Sequence, residues 1–137
     1  MKRIILAFAA AIAFSAPLFS QELVDKLIAL PSVQKVEILE SKDFPEKFLL
    51  YFEQPVDHKD PSKGKFLQRV FVGNVSVDSS SVVVVEGYGA AYAARPSYRD
   101  ELSKIFNLNN IVIEHRYFLE SAPEPRAWKY LTAEHAA

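Results

Sequence analysis

The sequence predicts an α/β fold, an antiparallel edge hairpin followed by parallel strand–helix–strand units, with a sheet that is incomplete. Three observations carry this. Two apolar and aromatic segments, residues 47–53 and 65–77, flank a loop at 54–64 that holds two prolines, two flanking aspartates and a glycine, the pattern of an antiparallel pair. Val82, Val83, Val84 and Val85 form an unbroken β-branched run, the mark of a strand covered on both faces. A helical segment at 97–106 separates that run from a second short apolar run, Ile111, Val112 and Ile113, as a crossover between parallel strands requires. Two such strands leave their outer edges unpaired. The pattern therefore reads as the front of something longer, a fragment.

Each element follows in chain order. Lys2 and Arg3 precede an apolar stretch at 4–14 that Ser15, Ala16 and Pro17 break. This is the layout of a secretory signal peptide, residues 1–20, too short in its apolar core to span a bilayer. The alternative is an N-terminal hydrophobic anchor. Export to the periplasm or outside the cell is expected, with no stable membrane anchor after cleavage. There is no cysteine, so neither a lipidated cleavage site nor a disulfide is available.

Residues 21–30 place Leu23, Val24, Leu27, Ile28 and Leu30 at helical spacing, stopped by Pro31. Residues 32–40 alternate around Val33, Val36 and Ile38, a strand, and Asp43, Phe44 and Pro45 mark a turn. After the hairpin, residues 78–81 are a polar turn into the valine run. Ser97 is the expected cap of the next helix, with Asp100 in capping-box relation and Asn109 and Asn110 as its end. Residues 128–137 are expected to form a final helix. Residues 21–137 thus make the N-terminal portion of a single domain.

Net charge is −1 with acids and bases interspersed, which excludes a basic nucleic-acid surface. His58, His115 and His135 are far apart and cysteine is absent, so no metal site and no cofactor is expected. Polar residues cluster instead at the C-terminal ends of both parallel strands: Glu86, Gly87, Tyr88 and Gly89 after the first, Glu114, His115, Arg116 and Tyr117 after the second. Open α/β sheets build their ligand sites at that edge.

Gly87 and Gly89 flank Tyr88 and permit positive φ and close backbone approach, so an amide there can face a developing oxyanion. The plainer reading is an ordinary glycine turn. Glu86 is a candidate for binding a substrate amine, or else pairs with Arg95 or Arg116. His115, next to an arginine at a strand end, reads as a hydrogen-bonded scaffold member rather than a catalytic base. His58 and His135 have no partner at triad spacing. Ser121 has no flanking glycine, and no serine sits in a G-x-S-x-G elbow. No nucleophile or triad is found in this chain.

The tetrad EHRY at 114–117, followed by Ser121, Pro123 and W-x-Y-L-T-x-E at 128–134, resembles the bacterial secreted tripeptidyl aminopeptidases. These are serine peptidases related to lysosomal Pro-X carboxypeptidase and dipeptidyl peptidase II. Q-P-V-D-H at 54–58, F-L-Q-R-V-F at 66–71 and V-E-G-Y at 85–88 agree in order and spacing. The resemblance implies an α/β-hydrolase fold with a Ser-Asp-His triad beyond the segment seen here. It implies release of tripeptides, or short peptides with a proline preference, from substrates with free amino termini. In that frame the Gly87–Tyr88 turn maps onto one half of the oxyanion hole through the Tyr88 backbone N–H. Glu86 maps onto recognition of the amine, and Asp57 caps its loop or pairs with Arg69. Residues 21–137 alone are expected to be inactive. The alternative is a non-catalytic exported α/β module that binds peptides or a partner.

Overall fold

Ten residues on each side of the 56–64 loop pair without a break, from Glu46↔Asn74 to Pro55↔Lys65. The loop itself closes locally: Asp60 accepts from Ser62 N, Gly64 takes a φ of 106°, and Val56 N donates to Gly64 O at 2.9 Å. The computed structural model describes residues 21–136; the expected signal segment, residues 1–20, and Ala137 lie outside them. In chain order the elements are α1 (Gln21–Ile28), β1 (Val33–Ile38), β2 (Glu46–Pro55), β3 (Lys65–Asn74), β4 (Ser81–Val85), α2 (Glu101–Phe106), β5 (Asn109–Ile113) and α3 (Ala133–Ala136). Short 3-10 turns cover Pro61–Lys63, Ala91–Ala94 and Trp128–Tyr130.

The chain is α/β with one mixed five-stranded sheet in the order β1-β2-β3-β5-β4. β1, β2, β3 and β5 pair antiparallel in turn, and β4 pairs parallel with β5. The hairpin is therefore not at the edge. β1 covers the outer side of β2, and β5 slots between β3 and β4. Side chains alternate between faces with period two. Leu49, Phe71 and Val112 pack with Ala90 and Ala93 on one face. Val33, Leu50 and Val70 pack on the other, with Leu27 of α1 against them.

Four further expectations are corrected. Among the described residues the valine strand is not covered on both faces: Val83 is 54% and Val85 67% exposed, while Val84 turns to the Leu49–Phe71 core. As the last strand of the described sheet, β4 has neither a neighbour on its outer edge nor a layer over its outer face. The second helix starts at Asp100, not Ser97. Its carboxylate accepts from Leu102 N at 2.9 Å, and Ser97 lies in the preceding turn. Asn107, in the left-handed conformation at φ 52°, ends it. Asn109 and Asn110 are instead the first residues of β5. Asn109 Oδ1 accepts from Val75 N at 2.7 Å, and Asn110 Oδ1 accepts from Asp100 N at 2.7 Å. The expected helix over 128–137 is broken at Leu131 and Thr132, where the Thr132 hydroxyl accepts from His135 N and starts α3.

Two substitutions test this packing. Asp100→Ala removes the cap and lowers stability by about 1 kcal/mol. Gly73 lies under the Phe44 ring, and a Cβ there would sit 2.4 Å from Phe44 Cε2. The Arg99 guanidinium lies over that ring at 4.6 Å, so a shift of the ring disturbs this contact. Gly73→Ala is expected to cost about 1–3 kcal/mol. Urea unfolding of each variant beside the parent measures both.

Candidate active site

β3 and β5 meet in register, Val70 opposite Ile113, so the next residues along, Arg69 and Glu114, are neighbours. Glu114 N donates to Arg69 O at 3.1 Å. The Glu114 side chain turns inward and is 0% exposed. A buried carboxylate is costly unless paired and fully hydrogen-bonded, and here it is both. Arg69 meets it with a two-pronged fork, Nε to Oε2 at 2.9 Å and Nη2 to Oε1 at 2.7 Å. Ser121 Oγ donates to Oε2 at 2.6 Å and Ala90 N to Oε1 at 2.8 Å. Ser121 Oγ also accepts from Arg69 N at 2.9 Å. Burial alone pushes the carboxyl pKa up, but Arg69, Ser121 and Ala90 outweigh it and hold it below the ordinary value.

Glu114 thereby ties three pieces of chain together: β3, the turn around Ser121, and the glycine turn after β4. That turn continues the sheet for one more bond, Glu86 N to Ile113 O at 3.1 Å. It is then clasped twice, by His115 N donating to Tyr88 O at 3.1 Å and by Ala90 N on Glu114. Positive φ is not what the glycines provide; among the described residues Gly64 is the glycine that uses it. At Gly89 a Cβ would stand 2.6 Å from Leu119 Cδ1, so a larger residue would have to displace that exposed side chain. Gly87 has nothing within 4 Å of its would-be Cβ and borders a groove of about 280 Å³ with His115, Phe118, Leu131, Thr132 and Ala133. Tyr88 is 72% exposed, with its ring edge-on to Phe118 at 5.4 Å.

The other candidates find different partners from those the sequence offered. Glu86 pairs with neither Arg95 nor Arg116; it accepts from the Tyr92 hydroxyl. Burial, and then the Glu86 bond, push that phenol's pKa well up. Arg95 lies over the Tyr92 ring. Arg116 is buried and donates to Val56 O at 2.7 Å, Pro55 O at 3.3 Å and His135 O. Asp57 does not pair with Arg69. It accepts from Lys59 N at 2.9 Å and meets His135 Nε2 at 3.2 Å, so His135 does have a partner. The other ring nitrogen, Nδ1, lies 2.8 Å from Thr132 Oγ1.

A hydroxyl, an imidazole and a carboxylate are thus in line, as in a triad, but Thr132 Oγ1 also accepts from His135 N as the cap of α3. That hydroxyl is a structural cap. His115 Nδ1 lies 2.7 Å from Arg116 O, and the ring stacks edge-on to Phe118 at 5.5 Å, which fits a scaffold role. Among the described residues no serine is hydrogen-bonded to a histidine.

What sequence reasoning missed is Arg69 and Ser121 as partners of Glu114. Both stood inside quoted motifs, yet only strand register brings residues 45 and 7 positions away onto one carboxylate.

Comparison with known proteins decides the family. The family described as PS-10 peptidase S37 matches residues 18–137. The chain belongs to it. This peptidase S37 chain is also 31% identical over 113 residues to a protein of Streptomyces mobaraensis, "Prolyl tri/tetrapeptidyl aminopeptidase". The match takes in 82% of this chain and 23% of that relative's length. The sequence resemblance to the bacterial tripeptidyl aminopeptidases is thereby borne out. This peptidase S37 chain thus spans less than a quarter of that relative's length.

Proposed function

We propose that this chain supplies the N-terminal part of an α/β-hydrolase serine peptidase that releases tripeptides or short peptides from free amino termini. The observation that carries the reading is topological. β5 is inserted between β3 and β4, and a Gly-Tyr-Gly turn follows β4 at the C-terminal end of the parallel pair, where open α/β sheets place ligands. In hydrolases of this type one oxyanion amide comes from the loop after such a strand, and the other follows the nucleophile. The glycine turn after β4, which the sequence reading centred on Gly87 and Tyr88, is proposed to supply the first of these amides.

The chemistry is acyl transfer. A serine oxygen attacks the scissile carbonyl carbon, and the carbonyl π pair moves onto oxygen. A histidine takes the serine proton and returns it to the departing amine. Water then repeats the sequence on the acyl-enzyme. Glu86 is the proposed acceptor for the substrate ammonium; Tyr92 uses one of its oxygens and leaves further acceptor sites. The named activity of the Streptomyces relative supports a proline preference. The leader at 1–20 sends the protein out of the cytoplasm. Residues 21–137 alone release no peptide, because nucleophile, acid and base belong to the remainder of the fold.

The test is hydrolysis by the full-length protein. Peptides with free amino termini are cut into tripeptides, N-acetylated ones are not, and an organophosphorus serine reagent stops the reaction. Glu86→Gln raises KM for free-amine peptides by roughly 10–100-fold, the loss of one charge-assisted hydrogen bond. Serine-independent hydrolysis, or equal cleavage of acetylated peptides, overturns the reading.

A further inference from the structure

The clasp on the glycine turn does more than hold it. We infer that the Gly89 backbone N–H is the oxyanion donor of this turn, aimed by the His115–Tyr88 hydrogen bond and fixed by Glu114; this rests on the peptidase reading above.

Peptide geometry sets the direction of this amide. In a planar trans peptide the carbonyl and the following N–H point in opposite directions. Among the described residues the cis bond is Glu124–Pro125, so the Tyr88–Gly89 peptide is trans. Its carbonyl points toward β5, where it accepts from His115 N at 3.1 Å. Its N–H, belonging to Gly89, therefore points away from β5, to the far side of the turn.

That far side is the open side of the sheet. β4 pairs with β5 along one edge, and among the described residues nothing pairs with its other edge. A strand added there delivers its C-terminal tip beside the Gly89 amide. Nucleophile elbows sit at such a tip, on the turn from a strand into a helix.

Two further facts keep this amide available and still. Gly89 N has no acceptor among the described residues. The next amide, Ala90 N, is taken by the buried Glu114 carboxylate at 2.8 Å, so the peptides on both sides of Gly89 are anchored by consecutive residues of one strand end. Glu114 and His115 are thus positioning residues, acting through the turn rather than on the substrate. Among the described residues no comparable contact fixes the Gly87–Tyr88 peptide.

The test replaces single amides by esters in the full-length protein. Glycolic acid at position 89 exchanges N–H for oxygen without adding a side chain. The α-hydroxy analogue of tyrosine does the same at position 88. The ester at 89 lowers kcat by about 10²–10³-fold, as loss of one oxyanion donor does, with KM little changed; the ester at 88 does not.

An ester at 115 removes the aiming bond while keeping the Gly89 N–H, and gives a smaller loss of kcat. This control separates the donor from the weaker acceptor that an ester at 89 makes of the Tyr88 carbonyl. If the ester at 88 carries the large loss and that at 89 does not, the assignment to Gly89 is wrong and the turn's role stands. If neither lowers kcat in an enzyme that cleaves peptides, the oxyanion role of the turn falls with it.

Discussion

Glu114→Ala is expected to destabilise the protein by about 3–5 kcal/mol. The loss arises less from the contacts removed than from what stays behind. Arg69 loses its buried counterion and keeps only the exposed Glu120 carboxylate, 3.1 Å from Nη1, and Ala90 N and Ser121 Oγ lose their acceptor. Breaking one side of a buried pair costs this much, whereas replacing both partners by apolar groups of similar size recovers much of it. Arg69→Met added to Glu114→Leu should therefore be more stable than Glu114→Ala alone. The acid dependence follows with a definite sign. The folded pKa lies below the ordinary 4.5, so the stabilisation is complete above that pH and fades as pH falls through the folded value. The parent should weaken in that acid range, and Glu114→Ala should show a flatter acid limb. Denaturant midpoints of parent and variants across pH 2.5–7, roughly the range that brackets an ordinary carboxylate, measure this; a change below 1 kcal/mol would contradict the structural role given to Glu114.

Arg116→Met is the second large effect, about 3 kcal/mol. Arg116 is buried, with three backbone carbonyls as acceptors, and burial lowers its pKa. Hydrogen bonds from a charged donor are worth roughly 1.5–3 kcal/mol each in net terms, so losing the set far exceeds a surface substitution. The consequence is local as well. Arg116 joins the β2–β3 loop at Pro55 and Val56 to the α3 segment at His135. Hydrogen exchange should accelerate over 128–136 in the variant and remain slow in β2 and β3. Unchanged exchange at 128–136 would show that the Asp57–His135 and Lys59–Glu134 contacts hold that segment without it.

The tetrad EHRY is therefore a structural device. Glu114 ties the turn to β3, the His115 amide aims the Tyr88 peptide, and Arg116 clamps the segment that walls the groove. Tyr117 is buried and donates to Ala127 O at 2.9 Å. All four sit at the end of β5, where the sheet stops and the backbone must leave it.

Much of this was legible in the sequence. The β2–β3 hairpin, the parallel β4–β5 pair and the polar strand ends follow from period-two alternation, β-branched runs and glycine placement. The family was legible in four ordered motifs. Strand order was not, because alternation says which face a residue takes and nothing about which edge a later strand joins. Val82–Val85 read as fully covered, whereas among the described residues nothing lies over Val83 and Val85. Partner choice was least legible. Asp57 and Glu86 each had a nearby arginine in the sequence, yet His135 and Tyr92 lie closer in space. Helix starts failed by one turn's worth of register, since both Ser97 and Asp100 can cap and only the strand contact of Asp100 N with Asn110 decides between them.

The central claim is that the turn after β4 faces the reaction centre. The direct measurement is a crystal structure of the full-length protein carrying a tripeptidyl boronate bound to its serine. A boronate oxygen is expected about 2.7–3.1 Å from an amide nitrogen of the 87–89 turn, with the inhibitor's ammonium near Glu86. A boronate oxygen held by other amides, with the turn facing solvent, would contradict it.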